Sequence, residues 1–225
     1  MKYTGFIIAV RYNRCFSIID NLGAMVDAVL SHPSKDLDYK MFETIHNIPD
    51  GKMLSGRQGH SLTITIDNII FSYNTQSDFK AEITKYASVY TKIILESIFK
   101  QFNIQKINRY GVIIRTELTK GNPLFNDVYN VLAKNQSDLD SVSFRYNKTM
   151  NKPVLASDNE ITKDYENEII TFDRPSAESP INFLVDYQKY FSPTHKHIED
   201  AKPKFENYVM SCVDKFHNSY SNNGK

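Results

Sequence analysis

Between positions 61 and 67 the chain alternates without a break: Leu62, Ile64 and Ile66 fall on one parity, Ser61, Thr63 and Thr65 on the other. Successive side chains of a strand point to opposite faces, so such a stretch has one buried side and one wet side. Asp67-Asn68 then turns the chain into 69–73, which makes a hairpin. The same period of two recurs elsewhere. Phe6, Ile8, Val10 and Tyr12 share a parity in 3–12. In 107–117, Tyr110, Val112 and Ile114 oppose Arg109, Ile113, Arg115 and Glu117. Val142, Phe144 and Tyr146 mark a further strand with Arg145 on its outer side, and 166–172 reads as another. Ile181, Phe183, Val185 and Tyr187 alternate in 181–191.

Helical spacing fills the gaps. Ile18, Leu22, Met25, Val26 and Val29 predict a helix over 17–30, which His32-Pro33 stops. Phe79, Ile83, Tyr86, Tyr90, Ile94, Ile98 and Phe102 form one apolar stripe along 79–102, with Ser77 or Asp78 to cap it. A short helix is expected over 124–134, and Ser192-Pro193 starts a final helical region, kinked or restarted at Pro203, that carries Phe205, Val209, Cys212, Val213 and Phe216. The segment 34–59 is ambiguous, with turn signals at Pro49-Asp50-Gly51 and Gly56-Arg57-Gln58-Gly59. This order of elements suits an α+β fold: a largely antiparallel sheet with helices packed mainly on one face. No internal repeat and no linker stand out, so the expectation is one domain over 1–217 and a flexible polar tail over 218–225.

Composition excludes several classes. With 27 basic and 26 acidic residues the net charge is +1, which argues against a general polyanion binder. The two cysteines, Cys15 and Cys212, make no disulfide framework and no zinc cluster. The apolar run after Met1 is too short for an export signal or a membrane span, so the sequence predicts a cytoplasmic chain with no membrane association. The 14 Tyr and 14 Phe suit a β-rich core.

Three stretches carry a family resemblance. The first is Phe6-Ile7-Ile8-Ala9-Val10-Arg11-Tyr12 leading into a helix around Gly23. The second is the helix over 79–102 followed by Arg109-Tyr110-Gly111-Val112-Ile113-Ile114-Arg115. The third is Phe183-Leu184-Val185-Asp186-Tyr187 followed by a helix through His197 and Phe205. Together they resemble an uncharacterised prokaryotic family described as sporadically distributed. In that family the middle strand usually reads Arg-x-Gly-x-Arg, then an aromatic and Asn. Here Arg109 and Gly111 match, Arg115 falls two positions late, and the aromatic-Asn pair is missing. The resemblance implies no known activity. A patchy distribution is typical of mobile or defence-associated genes, so it implies by association a role in host–phage conflict, that is, antiviral defence.

The chemistry-bearing patterns are sparse. Gly51-Lys52 lacks the glycine and hydroxyl residue of a phosphate-binding loop. His195 and His197 would point about 200° apart on a helix and could not share a metal there. The carboxylates Asp158, Glu160, Asp164, Glu166 and Glu168 lack the glycine of a calcium loop. The sequence therefore predicts no cofactor, no metal and no catalytic residue. What stands out is arginine. Arg109 and Arg115 lie six apart on one strand, on the same side and about 20 Å apart. Arg145 opposes the aromatic parity of its strand, and Arg11 ends the first one. Guanidinium forks bind phosphate and carboxylate in two-point fashion and stack on rings. Arg109, Arg115, Arg145 and Arg11 are accordingly the candidate ligand-binding residues. The leading expectation is a non-enzymatic interaction or recognition module that binds a partner protein or self-associates as a homodimer. The alternatives are a nucleotide or nucleic-acid sensor using the arginine face, and a metal-dependent hydrolase built on the carboxylates.

Overall fold

A computed structural model describes residues 1–31, 41–75, 78–104, 106–133, 141–151, 164–176, 179–192 and 201–221. Nine strands form one antiparallel sheet: β1 (Lys2–Tyr12), β2 (Thr44–Ile48), β3 (Gly51–Ser55), β4 (Ser61–Thr65), β5 (Asn68–Asn74), β6 (Ile107–Leu118), β7 (Val142–Met150), β8 (Tyr165–Arg174) and β9 (Ile181–Tyr190). Their order across the sheet is β2-β3-β4-β5-β1-β6-β9-β8-β7. The helices are α1 (Ser17–Leu30), α2 (Phe79–Tyr90), a π-helical stretch Thr91–Ile98 running into the single turn α3 (Phe99–Gln101), α4 (Pro123–Ala133) and α5 (Ala201–Phe216). The α+β reading and the antiparallel sheet are thus what the chain adopts.

Parity decides the layers. Phe6, Ile8, Val10, Leu62, Ile64, Phe71, Val112, Ile114, Phe183 and Val185 lie in one core with Ile18, Met25, Ile83, Tyr90, Phe205 and Val213 from the helices. The other parity, including Ile7, Ala9, Ile113 and Leu184, contributes nothing to that core. The described helices therefore pack on one face and leave the other bare of them. No helix among the described residues is long and apolar enough to cross a membrane.

Local chemistry explains the element ends. Asp78 caps α2 by accepting from the backbone N–H groups of Lys80 and Ala81 at 3.0 and 3.1 Å. The regular stripe over 79–102 does not persist. The π-helical turns after Tyr90 shift its phase, so that Ile93 is buried and Phe102 is only half-buried. The ambiguous segment holds the two strands that pattern missed: β2 and β3 pair about Pro49-Asp50, where Asp50 takes a φ of 58°. Pro203 lies in the first turn of α5, where its missing N–H costs nothing. The polar stretch expected as a tail is helical from His217 to Ser221, and the ring of Tyr220 meets Phe183 and Phe216 at 5.1 and 5.4 Å.

The expectation of no internal repeat is corrected by the connectivity. Apart from β2, the sheet is a palindrome about the β1–β6 seam: β3-β4-β5-β1 on one side, β6-β9-β8-β7 on the other. Each side runs strand, helix, three-strand meander, helix, through α1 and α2 in the first half and α4 and α5 in the second. β1 and β6 pair antiparallel, as a two-fold axis normal to the sheet requires. Gly5-Phe6-Ile7-Ile8 then matches Gly111-Val112-Ile113-Ile114, with the axis at the directly opposed pair Ile7 and Ile113. Following the ladders outward, Asn74 matches Gln188, Tyr73 matches Tyr187 and His60 matches Glu168.

Candidate functional site

The bare face is read as rows running across β5, β1, β6, β9 and β8. At one end Asn68, Arg11, Arg109, Tyr190 and Tyr165 stand in line. The next row is Ile70, Ala9, Gly111, Gln188 and Asn167. The third is Ser72, Ile7, Ile113, Asp186 and Ile169. The fourth is Asn74, Gly5, Arg115, Leu184 and Thr171, with Arg145 beyond it on β7. All four candidate arginines therefore belong to this face, but they divide into two groups. Arg11 and Arg109 face each other across the seam. Arg115 and Arg145 share a row three strands apart, or about 14 Å.

The groups differ in what they do. Arg115 reaches over Gly5, where a Cβ would come within 2.5 Å of its Nη2. There Nη2 donates to the Tyr73 carbonyl at 2.8 Å and to Asn74 Oδ1 at 2.9 Å. Burial lowers its pKa. This arginine clamps β5 to the seam and is already occupied within the fold. Arg145 is exposed. Arg11 is half-exposed and pairs with Asp67 at 3.3 Å. Arg109 donates to the Tyr190 hydroxyl at 3.4 Å and lies 5.7 Å from the centre of its ring.

From Arg109 a hydrogen-bonded chain runs down β9. The Tyr190 hydroxyl donates to Gln188 Oε1 at 2.7 Å, and Gln188 Nε2 donates to Asp186 Oδ2 at 2.6 Å. Tyr165 stacks on Tyr190 with ring centres 4.5 Å apart and planes within 2°. Burial raises the pKa of Asp186, against the opposing pull of Gln188, Arg109 and Arg145. Tyr190, Gln188 and Asp186 are the residues that a search for arginine alone passes over. They were accessible to the parity rule, since they alternate with Val185 and Tyr187 on β9.

The described members of the carboxylate run are each engaged separately. Among the described residues no three His, Cys, Asp or Glu side chains come together to hold a metal. Asp164 Oδ1 accepts from the Ser192 N–H at 2.9 Å, Glu166 pairs with Lys189 at 3.6 Å, and Glu168 pairs with Lys215 at 2.9 Å. Asp158, Glu160, His195 and His197 lie outside the described residues. A comparison with family models and with curated proteins finds no match.

Proposed function

We propose that this chain is a non-enzymatic recognition module that engages a partner protein through the bare face of β1, β6, β9 and β8. The observation that carries the reading is the composition of that face. Half-buried Ile7, Ile113 and Leu184 stand about its middle, beside Asp186 and the clamped Arg115, and its ends hold Arg11, Arg109, Tyr165 and Tyr190 on one side and Arg145 on the other. Aliphatic side chains at the middle with an arginine- and tyrosine-rich rim match the composition of protein interfaces. A sheet with helices on one side supplies it on a rigid support, because every strand of the seam is hydrogen-bonded on both edges.

The test is site-specific photo-crosslinking in the cells that make the protein. A photo-reactive residue at Ile113 should trap one partner, while the same residue at the exposed helix position Lys80 should not. Light scattering on the purified chain identifies a partner that is a second copy. Ile113→Arg should abolish capture without lowering the melting temperature. Equal capture from both positions, or capture that survives Ile113→Arg, refutes the assignment of this face.

A further inference from the structure

β7 is the last strand of the sheet, and no described strand pairs with its outer edge. Such an edge is a template for another strand. Folded chains blunt it with short strands, prolines, bulges or uncompensated inward charges. β7 shows none of these. It runs nine residues, Val142–Met150, contains no proline and pairs with β8 without a register shift. Its one charge on the helix-side parity, Lys148, stands directly across the ladder from Glu168. β2, at the opposite edge, is only five residues long.

On the helix-side parity Phe144 and Tyr146 oppose Phe172 and Ile170, which are buried in the core. The helical layer covers those two and ends before β7. Phe144 is 47 % accessible and Tyr146 41 %, with ring centres 5.8 Å apart. The edge thus joins a long unblunted strand to an aromatic pair at the rim of the core. The internal two-fold offers a comparison. It maps β7 onto β3, and the outer edge of β3 carries β2 in antiparallel pairing. Among the described residues the second half has no such added strand.

We propose that a second copy of this chain supplies it: two molecules join β7 to β7 in antiparallel pairing, about a two-fold axis at Tyr146 and normal to the sheet. The chain already joins its own halves in this manner, β1 to β6 about Ile7 and Ile113. The sequence of the strand suits the register. Centred on Tyr146, all nine residues pair. Phe144 faces the partner's Lys148, an ammonium beside a ring, and Arg145 faces the partner's Asn147. No like charges stand directly opposed. Centred one residue earlier, Arg145 would face its own copy; centred one later, two residues of each strand would go unpaired. A strand from an unrelated protein would need no such self-complementary pattern. The axis normal to the sheet keeps both helical layers on one side, so the two aromatic pairs meet at the join. The bare face of β1, β6, β9 and β8 stays open.

Sedimentation equilibrium of the purified chain should show a monomer–dimer equilibrium. Phe144→Lys sets a lysine against the partner's Lys148 at two symmetric places and should raise the dissociation constant at least roughly tenfold. Phe144→Glu sets an acid there and should raise it less. Both variants should keep the parent's circular dichroism spectrum, because Phe144 is exposed. Tyr146→Cys places two thiols at directly opposed positions, with Cα atoms about 4.5–5.5 Å apart and within disulfide reach. Mild oxidation should then link two chains. Arg145→Cys, off the axis, should link no more than the parent does. Three results overturn the proposal: a monomer at every concentration, equal effects of the two Phe144 variants, or linking by Arg145→Cys as ready as by Tyr146→Cys. A monomer that traps a different protein through a photo-reactive residue at Phe144 overturns it too, and gives the edge to a foreign strand. Ile113→Arg should leave the dimer intact, which separates this join from the partner face.

Discussion

Replacing Glu168 by Gln removes a carboxylate that β8 buries against α5. Glu168 is 4 % accessible. It accepts from the Tyr220 hydroxyl at 2.6 Å and from Lys215 Nζ at 2.9 Å, and the Lys215 ammonium also lies 5.1 Å from the ring centre of Tyr187. A hydrogen bond to a charged group contributes about 1.5–3 kcal/mol. Lys215 is one-third exposed, so solvent screens its share and the lower part of that range applies. The expected cost of Glu168→Gln is about 2 kcal/mol. For a chain of this length each kcal/mol moves the melting temperature by about 2–4 °C, so the variant should melt about 4–8 °C lower. The pH dependence gives a second handle. Burial pushes the Glu168 pKa up, but the bonds from Tyr220 and Lys215 and the charge of Lys148 pull it down further, and the net shift is below the ordinary 4.5. The unfolded chain then binds the proton more readily. The stabilisation is complete above about 4.5 and is lost as pH falls through the folded value. Urea unfolding of both proteins should show a constant gap from neutral pH down to about pH 5, closing at lower pH. No gap at neutral pH, or a gap unchanged in acid, refutes the account.

Two further outcomes follow from features of the first half. His60 stacks on Tyr73 at 4.2 Å, accepts from the Asn74 N–H at Nδ1, and faces Gln58 Oε1 with Nε2; its burial lowers its pKa from 6.5 against the pull of Glu82. Stability should therefore decline as pH falls below about 6.5, by at most about 1.4 kcal/mol per pH unit, and denaturation midpoints of His60→Gln should lack that decline. The second concerns chain order. Tyr3 meets His217 and Ser221 at 3.3 and 3.2 Å, so the two ends of the paired halves adjoin. A permuted chain, opened after Asn103 and closed by a short linker between Lys225 and Met1, should fold cooperatively with the parent's circular dichroism spectrum; an unfolded product would contradict the equivalence of the halves.

Much of this architecture was legible because burial on one side leaves its mark on every second residue. The parity of Phe6, Ile8 and Val10, of Tyr110 and Val112, and of Phe183 and Val185 assigned both layers correctly. β2 was not legible. Its residues Thr44–Ile48 are exposed apart from the half-buried Ile48, so no face carries an apolar signal. The helix phase after Tyr90 was lost because extra residues in π-helical turns break the 3.6-residue spacing. The repeat escaped because the offset between equivalents changes from strand to strand, through loops of unequal length. Ile7 and Ile113, Tyr73 and Tyr187, and His60 and Glu168 share no common period. Nor does sequence tell Arg115, clamped over Gly5, from Arg109, since both share one parity on one strand.

The β1–β6 seam has a consequence for how such a molecule behaves on dilution. Were the two equivalent units separate chains, their union would depend on concentration, and every substitution would appear twice. Carried on one chain, the union is intramolecular and survives at any dilution. Each unit is also free to change without its twin. One copy holds an arginine folded over its glycine, Arg115 over Gly5, while the other carries Ala9 at the equivalent place beside Gly111. A symmetric pair must carry every feature twice; this fused one can carry a feature once per molecule.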